Sequence, residues 1–61
     1  MNTENLQRIM DSKNINQVQL AEAAGTSQAF VSYMMHGYKV PSVAVLKRIA
    51  EYLNVSVDEL V

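Results

Sequence analysis

Cysteine is absent from this chain. That excludes both a disulfide framework and a thiolate zinc site. The one histidine has no cysteines or neighbouring carboxylates around it, so no metal site is expected. No apolar stretch approaches the roughly 18 residues needed to cross a bilayer. The opening residues Met-Asn-Thr-Glu-Asn-Leu lack a basic region followed by an apolar run, so they do not read as a signal peptide. A soluble, cytoplasmic chain is the expectation. A Gly-rich phosphate loop is missing, and no Ser/His/Asp set has workable spacing, so no catalysis is expected. With 61 residues the chain is read as one domain over 1–61, of a size that buries only about 60% of its unfolded surface. A core that small leaves no room for a sizeable concave pocket. Neither a cofactor nor a small-molecule effector is expected.

Basic residues are also few. The formal net charge is −1, which taken alone counts against nucleic-acid binding. The distribution says more. Residues 1–12 hold Arg8 against Glu4 and Asp11. Residues 13–48 hold Lys13, Lys39, Lys47 and Arg48 against Glu22 alone. Residues 49–61 hold Glu51, Asp58 and Glu59 with no cation. The middle is basic and the end is acidic, although an ordinary mixed surface would show the same charges.

What is present is helical periodicity, in five segments, with no sustained period-2 alternation that would mark a strand. The first helix is expected to start after Thr3 and run to about Lys13, with Leu6, Ile9 and Met10 as its apolar stripe. The second starts at Asn16, with Gln19 three residues on in the manner of a capping box. Leu20, Ala21 and Ala24 form its inner face, and Gly25 ends it. The third follows Ser27 as N-cap, with Val31, Met34 and Met35 inward and Gly37 as its stop. Pro41 disfavours helix in the residue before it, so Tyr38–Pro41 reads as a loop. Ser42 caps a fourth helix running to about Asn54, lined by Val43, Leu46, Ile49, Ala50 and Leu53. Ser56-Val57-Asp58-Glu59 reads as a second capping box that opens a short fifth helix, with Leu60 inside. Cap logic and apolar period agree in every segment, and such agreement favours a single fold.

The second and third segments are short and are joined by Gly-Thr-Ser. Two such helices around so tight a turn form a helix-turn-helix, a unit that places its second helix in the DNA major groove.

The ordered residues Asn16-Gln17, Leu20-Ala21, Gly25, Ser27, Val31-Ser32, Gly37, Pro41-Ser42, Leu46, Ile49-Ala50, Leu53 and Val55-Ser56-Val57-Asp58-Glu59-Leu60 resemble the lambdoid phage repressor and Cro helix-turn-helix family. Bacterial regulators of the xenobiotic-response-element type share the pattern, and the likeness covers nearly the whole chain. It implies an all-α, five-helix, lambda-repressor-like DNA-binding domain with no enzymatic activity. By position, Gln17 resembles the family's phosphate-binding glutamine at the start of the second helix. Gln28, Ala29, Ser32 and Tyr33 fall on the face that reads bases. Ser27, Tyr38, Lys39 and Ser42 fall where the backbone is met. Two departures stand out. Many members have a buried arginine–glutamate pair where this chain has Met10 and Met35, and two apolar partners leave no charge unpaired. Phe30 replaces a small polar residue, and can extend the core, meet a partner subunit or touch the sugar-phosphate edge.

Each assignment has an ordinary rival. Gln28 can offer a bidentate pair to adenine or be a solvated first-turn residue. Ala29 can meet a thymine methyl or simply favour helix. Ser32 can reach a base or a phosphate. Tyr33 has a ring that is otherwise poorly explained on an exposed face. Lys47 and Arg48 point in different directions and each can be a plain solvated charge. His36 is expected to play a local part at the end of the third helix.

The expected function is transcription regulation, as a Cro/repressor-like protein that occupies a double-stranded DNA operator. So few cations argue for a homodimer, formed on DNA if not before it. Val55, Val57, Leu60 and Val61 are the expected dimer surface unless the core takes them. The alternative is a protein-interaction module, such as an antirepressor or antitoxin-like subunit, that keeps the fold without reading DNA. A domain of a longer regulator is a further option.

Overall fold

Four N-caps and four left-handed turns set the architecture of the computed structural model, which describes residues 1–61. Helix α1 spans Thr3–Ser12, α2 Gln17–Ala24, α3 Gln28–Met35 and α4 Val43–Leu53, and a 3-10 turn follows at Val57–Glu59. Each α-helix begins with a side chain that accepts a backbone N–H three residues on: Asn2 from Asn5, Asn16 from Gln19, Ser27 from Phe30 and Ser42 from Val45. Asn16 is a complete capping box, because Gln19 also accepts from the Asn16 N–H. Such caps contribute about 1 kcal/mol each. The expected cap at Thr3 moves back to Asn2, whose amide oxygen reaches Asn5 N at 3.0 Å.

The C-termini repeat one device. Asn14, Gly25, Gly37 and Asn54 are the four residues with positive φ, and each lies just past a helix. In every case the next residue donates back five positions: Ile15 to Met10, Thr26 to Ala21, Tyr38 to Tyr33 and Val55 to Ala50. These are Schellman ends, which satisfy carbonyls that the helix leaves open.

The fifth helix of the sequence reading is corrected to the single turn Val57–Glu59. Its bonds run i to i+3, from Glu59 to Ser56 and from Leu60 to Val57. Its carbonyls turn to α1 instead of extending a helix. Leu60 O accepts from Asn2 N at 2.8 Å, and Glu59 O accepts from the Asn5 side-chain amide. This clasp ties the two ends of the chain together.

The core is Leu6, Met10, Leu20, Ala21, Ala24, Val31, Met34, Ile49, Ala50, Leu53 and Leu60. Helix α2 packs on both α3 and α4, α1 on α3, and the last turn on α4. Ile9, Phe30, Met35, Leu46, Val55 and Val57 are partly buried against this cluster. Phe30 therefore extends the core. Val43 does not line it as expected and is 70% exposed, because the first turn of α4 carries it beyond the packed stripe of Leu46, Ile49 and Leu53. No buried side-chain nitrogen or oxygen lacks a partner.

One long-range contact secures the turn of the two-helix unit. Arg48 on α4 reaches across to the last turn of α2, its Nη1 donating to Ala24 O at 3.4 Å. A Cβ on Gly25 would stand 3.2 Å from that nitrogen, at φ +71°, whereas one on Gly37, at φ +80°, would meet open space. Gly37→Ala is expected to cost only the left-handed penalty of about 1–2 kcal/mol. Gly25→Ala should cost more, since Arg48 must also give way. Urea denaturation of the two variants checks the order, and equal losses would remove Arg48 from the account.

Candidate nucleic-acid interface

Helix α3 is eight residues of two characters, and rotation of about 100° per residue separates them. Val31 and Met34 are buried, with Phe30 and Met35 flanking them partly buried. Gln28, Ala29 and Tyr33 are exposed and Ser32 is half-buried. Their spacing of i, i+1, i+4 and i+5 puts all four on one stripe. The structure thus brings together the four residues expected to read bases. Tyr33 remains 50% exposed although it is the largest side chain of that stripe. The stripe is anchored from behind. Ser27 accepts from Phe30 N at 3.0 Å and its carbonyl from Val31 N at 3.1 Å. The hydroxyl of Ser27 is therefore committed to the cap, with its second lone pair left for any backbone contact.

The expected phosphate contacts fall at two places. Gln17 is the first residue of α2 and is half-buried. It lines a surface groove with Thr3, Glu4 and Gln7 of α1 and with Met35 and His36 at the end of α3. Tyr38 and Lys39 are exposed in the loop after α3. Ser42 is exposed at the head of α4, and its hydroxyl accepts from Val45 N at 3.2 Å. Pro41 between them is buried, which pins the loop to the body. The first two N–H groups of α2 and of α4, ahead of the ones taken by the Asn16 and Ser42 caps, have no partner within the helix, which suits an anion.

Two residues take clearer parts than their local context suggests. Arg48 is exposed, but its Nη1 also donates to the Ala24 carbonyl at the end of α2. No local signal marks this, because its partner lies 24 residues away. His36 is exposed on the same stripe as Ser32 and Tyr33, one turn further on. Extending the i+3 and i+4 spacing of the stripe by one step would have found it. Its Nδ1 lies 2.7 Å from Ser32 O, the local role expected of it. Its ring stacks on Tyr38 with centroids 6.1 Å apart and planes 14° from parallel.

The expected dimer surface does not survive. Leu60 is fully buried and Val55 and Val57 pack against the core. Only Val61, at 64%, stays exposed. The last turn must bury its apolar side to seal the small core, which leaves little for a partner. The most exposed large apolar side chains are instead Val40, Tyr38 and Val43.

No helix is long and apolar enough to cross a membrane.

Comparison with known proteins agrees with this geometry. The family model described as helix-turn-helix matches residues 6–60. The HTH-type transcriptional activator BcrR of Enterococcus faecalis is 37% identical over 57 residues, which cover 93% of this chain and 28% of that protein. The chain thus spans little more than a quarter of the relative's length. No solved structure matches.

Proposed function

Because the chain belongs to the helix-turn-helix family of DNA-binding transcription regulators, we propose that it reads one operator sequence with α3 in the major groove. The observation that carries this is the sorting of α3. Gln28, Ala29, Ser32 and Tyr33 face outward while Val31 and Met34 fix the helix to the core. In this reading Gln28 pairs with adenine N6 and N7, Ala29 meets a thymine methyl, and Ser32 and Tyr33 complete the contact. Gln17, Ser27, Tyr38, Lys39 and Ser42 hold phosphates on either side. Phosphate contacts supply most of the affinity and set the register, and α3 supplies the choice of sequence. Occupying the operator in this way is how a Cro/repressor-like protein blocks transcription. The relative is named an activator, and the same occupancy serves either outcome according to where the site lies.

Selection from random duplexes followed by footprinting tests the proposal. Enrichment of no sequence would refute it in favour of the protein-interaction reading. With a selected site in hand, Gln28→Ala is expected to weaken binding by about 1–3 kcal/mol and to relax choice at one base pair. Equal loss on selected and random duplexes would assign Gln28 to the backbone.

A further inference from the structure

We propose that Tyr38, Val40 and Val43, in the loop after α3 and at the head of α4, form the face through which two copies of this chain touch when they occupy adjacent half-sites of one duplex. This rests on the DNA-reading proposal above and adds to it the contact that couples the copies.

Exposure comes first. Val40 at 81%, Tyr38 at 76% and Val43 at 70% are the most exposed large apolar side chains of the molecule. All three fall within six residues, whereas Met1, Val18, Tyr52 and Val61 are spread along the chain. Single exposed apolar side chains are ordinary, but a cluster of them marks an interaction site. The segment is also held firmly. Pro41 in its middle is buried, and Val43 is the first residue of the capped helix α4. The Tyr38 N–H donates to Tyr33 O at 2.8 Å, and the Tyr38 ring stacks on His36. Little freedom is then lost when a partner arrives.

Position, size and charge select a second copy as that partner. Lys39 and Ser42, two of the proposed phosphate contacts, alternate with the cluster along the chain. Whatever covers it must therefore lie against the duplex as well, and a second bound copy does. The other end of α3 adjoins Gly25, Thr26 and Ser27, which offer no large apolar side chain, so the loop end faces the partner. Half-site centres one turn apart are separated by about 34–36 Å. The body measures 21 Å between Cα extremes, and side chains add roughly 3 Å on each side. The space left between two bodies is roughly 7–9 Å, a span filled by side chains projecting from both. Three such side chains present a few hundred Å², against about 800 Å² per partner in a stable interface. That is too little to hold a free pair together, and enough to couple two copies that the duplex already holds close. Lys39 works in the same direction. A two-fold axis at this face brings the two Lys39 side chains towards each other, which repels in solution and is offset where phosphates lie between them.

Two measurements test the contact. Since the chain has no cysteine, Val40→Cys supplies a single assignable thiol. A short bis-maleimide, which adds one thiol to each of its two rings, is expected to give covalent dimer on a duplex carrying both half-sites of the selected site. It should give none with the free protein, and none when five base pairs separate the half-sites. Val61→Cys, at the C-terminus, should give none in any mixture. The second measurement is fluorescence anisotropy of Val40→Ser combined with Val43→Ser, on a single half-site and on the full site. The wild type is expected to bind its second copy about tenfold more tightly than an isolated half-site. The double variant should lose that gain, keep its half-site affinity, and keep its melting curve by circular dichroism because both side chains are exposed. Cooperativity retained by the double variant would overturn the proposal. So would crosslinking at position 61 and not at position 40, or a selected site without two-fold symmetry. An equal loss on the single half-site would assign the cluster to DNA instead. All four results leave the DNA reading intact, whereas absence of duplex binding by the wild type would overturn both.

Discussion

Met10→Arg is expected to remove about 3–5 kcal/mol of folding stability, a large share of what the domain has. Met10 is 1% exposed on the inner face of α1 and its neighbours in the core are all apolar. A guanidinium placed there has no carboxylate to meet. Breaking or omitting one half of a buried ion pair costs about 3–5 kcal/mol. A domain of this length has only about 3–9 kcal/mol in total at 0.05–0.15 per residue. The substitution therefore removes a large share of it. Met35, the other position of the family's charged pair, is only partly buried and lines the groove beside Gln7 and Gln17. Met35→Glu alone should accordingly cost less, and combined with Met10→Arg it should restore part of the loss. Urea denaturation followed at the helical ellipticity gives all four corners of that cycle. A Met10→Arg loss below 1 kcal/mol would mean that the arginine escapes to solvent. A coupling near zero would mean that the two positions do not meet.

The core was legible because helical periodicity and burial are the same fact seen twice. Leu6, Met10, Leu20, Ala21, Ala24, Val31, Ile49 and Leu53 could be named from spacing alone, since each sits in a helix long enough to show its stripe. The caps at Asn16, Ser27 and Ser42 were legible because N-cap chemistry is local. The helix ends were half legible. Gly25 and Gly37 announce a left-handed residue, but Asn14 and Asn54 do the same work, and asparagine has other uses that hide this one. The start of α1 went to Asn2 because its neighbours include the carbonyl of Leu60, a contact no local reading contains. The same clasp explains the fifth element. A capping box marks where a helix can begin, not how far it runs, and here its carbonyls are drawn to α1. Arg48 and the C-terminal valines fail for the same reason. Their partners are far away in sequence, so tertiary contact alone decides whether a charge is solvated or an apolar side chain is free.

Inserting five base pairs between the half-sites of a selected operator is expected to lower the affinity of the second copy about tenfold, by removing its contact with the first. The case for two copies starts from charge. Only Lys13, Lys39, Lys47 and Arg48 are basic between residues 13 and 48, and Arg48 is engaged with the end of α2. Three remaining cations make few phosphate contacts, and affinity at physiological salt rises with their number. Helix α3, eight residues long, covers only a few base pairs. A second copy on the same face doubles both. Half-site centres one turn apart are separated by about 34–36 Å. The body measures 21 × 21 × 19 Å between Cα extremes, and side chains add roughly 3 Å on each side. Two such bodies meet only through what projects furthest between them, and the C-terminal valines are mostly turned into the core. A monomer in solution that pairs on DNA is the expected behaviour. Sedimentation of the free protein should show one copy, and the complex with the selected duplex should hold two. Five added base pairs are about half a turn and carry one subunit to the opposite side of the duplex, where no contact between the copies is possible. Ten added base pairs return it to the same side at twice the distance, which removes the contact without changing the face. If the five-base-pair insertion binds as tightly as the original, with two copies still bound, the copies do not cooperate and the symmetric dimer is wrong.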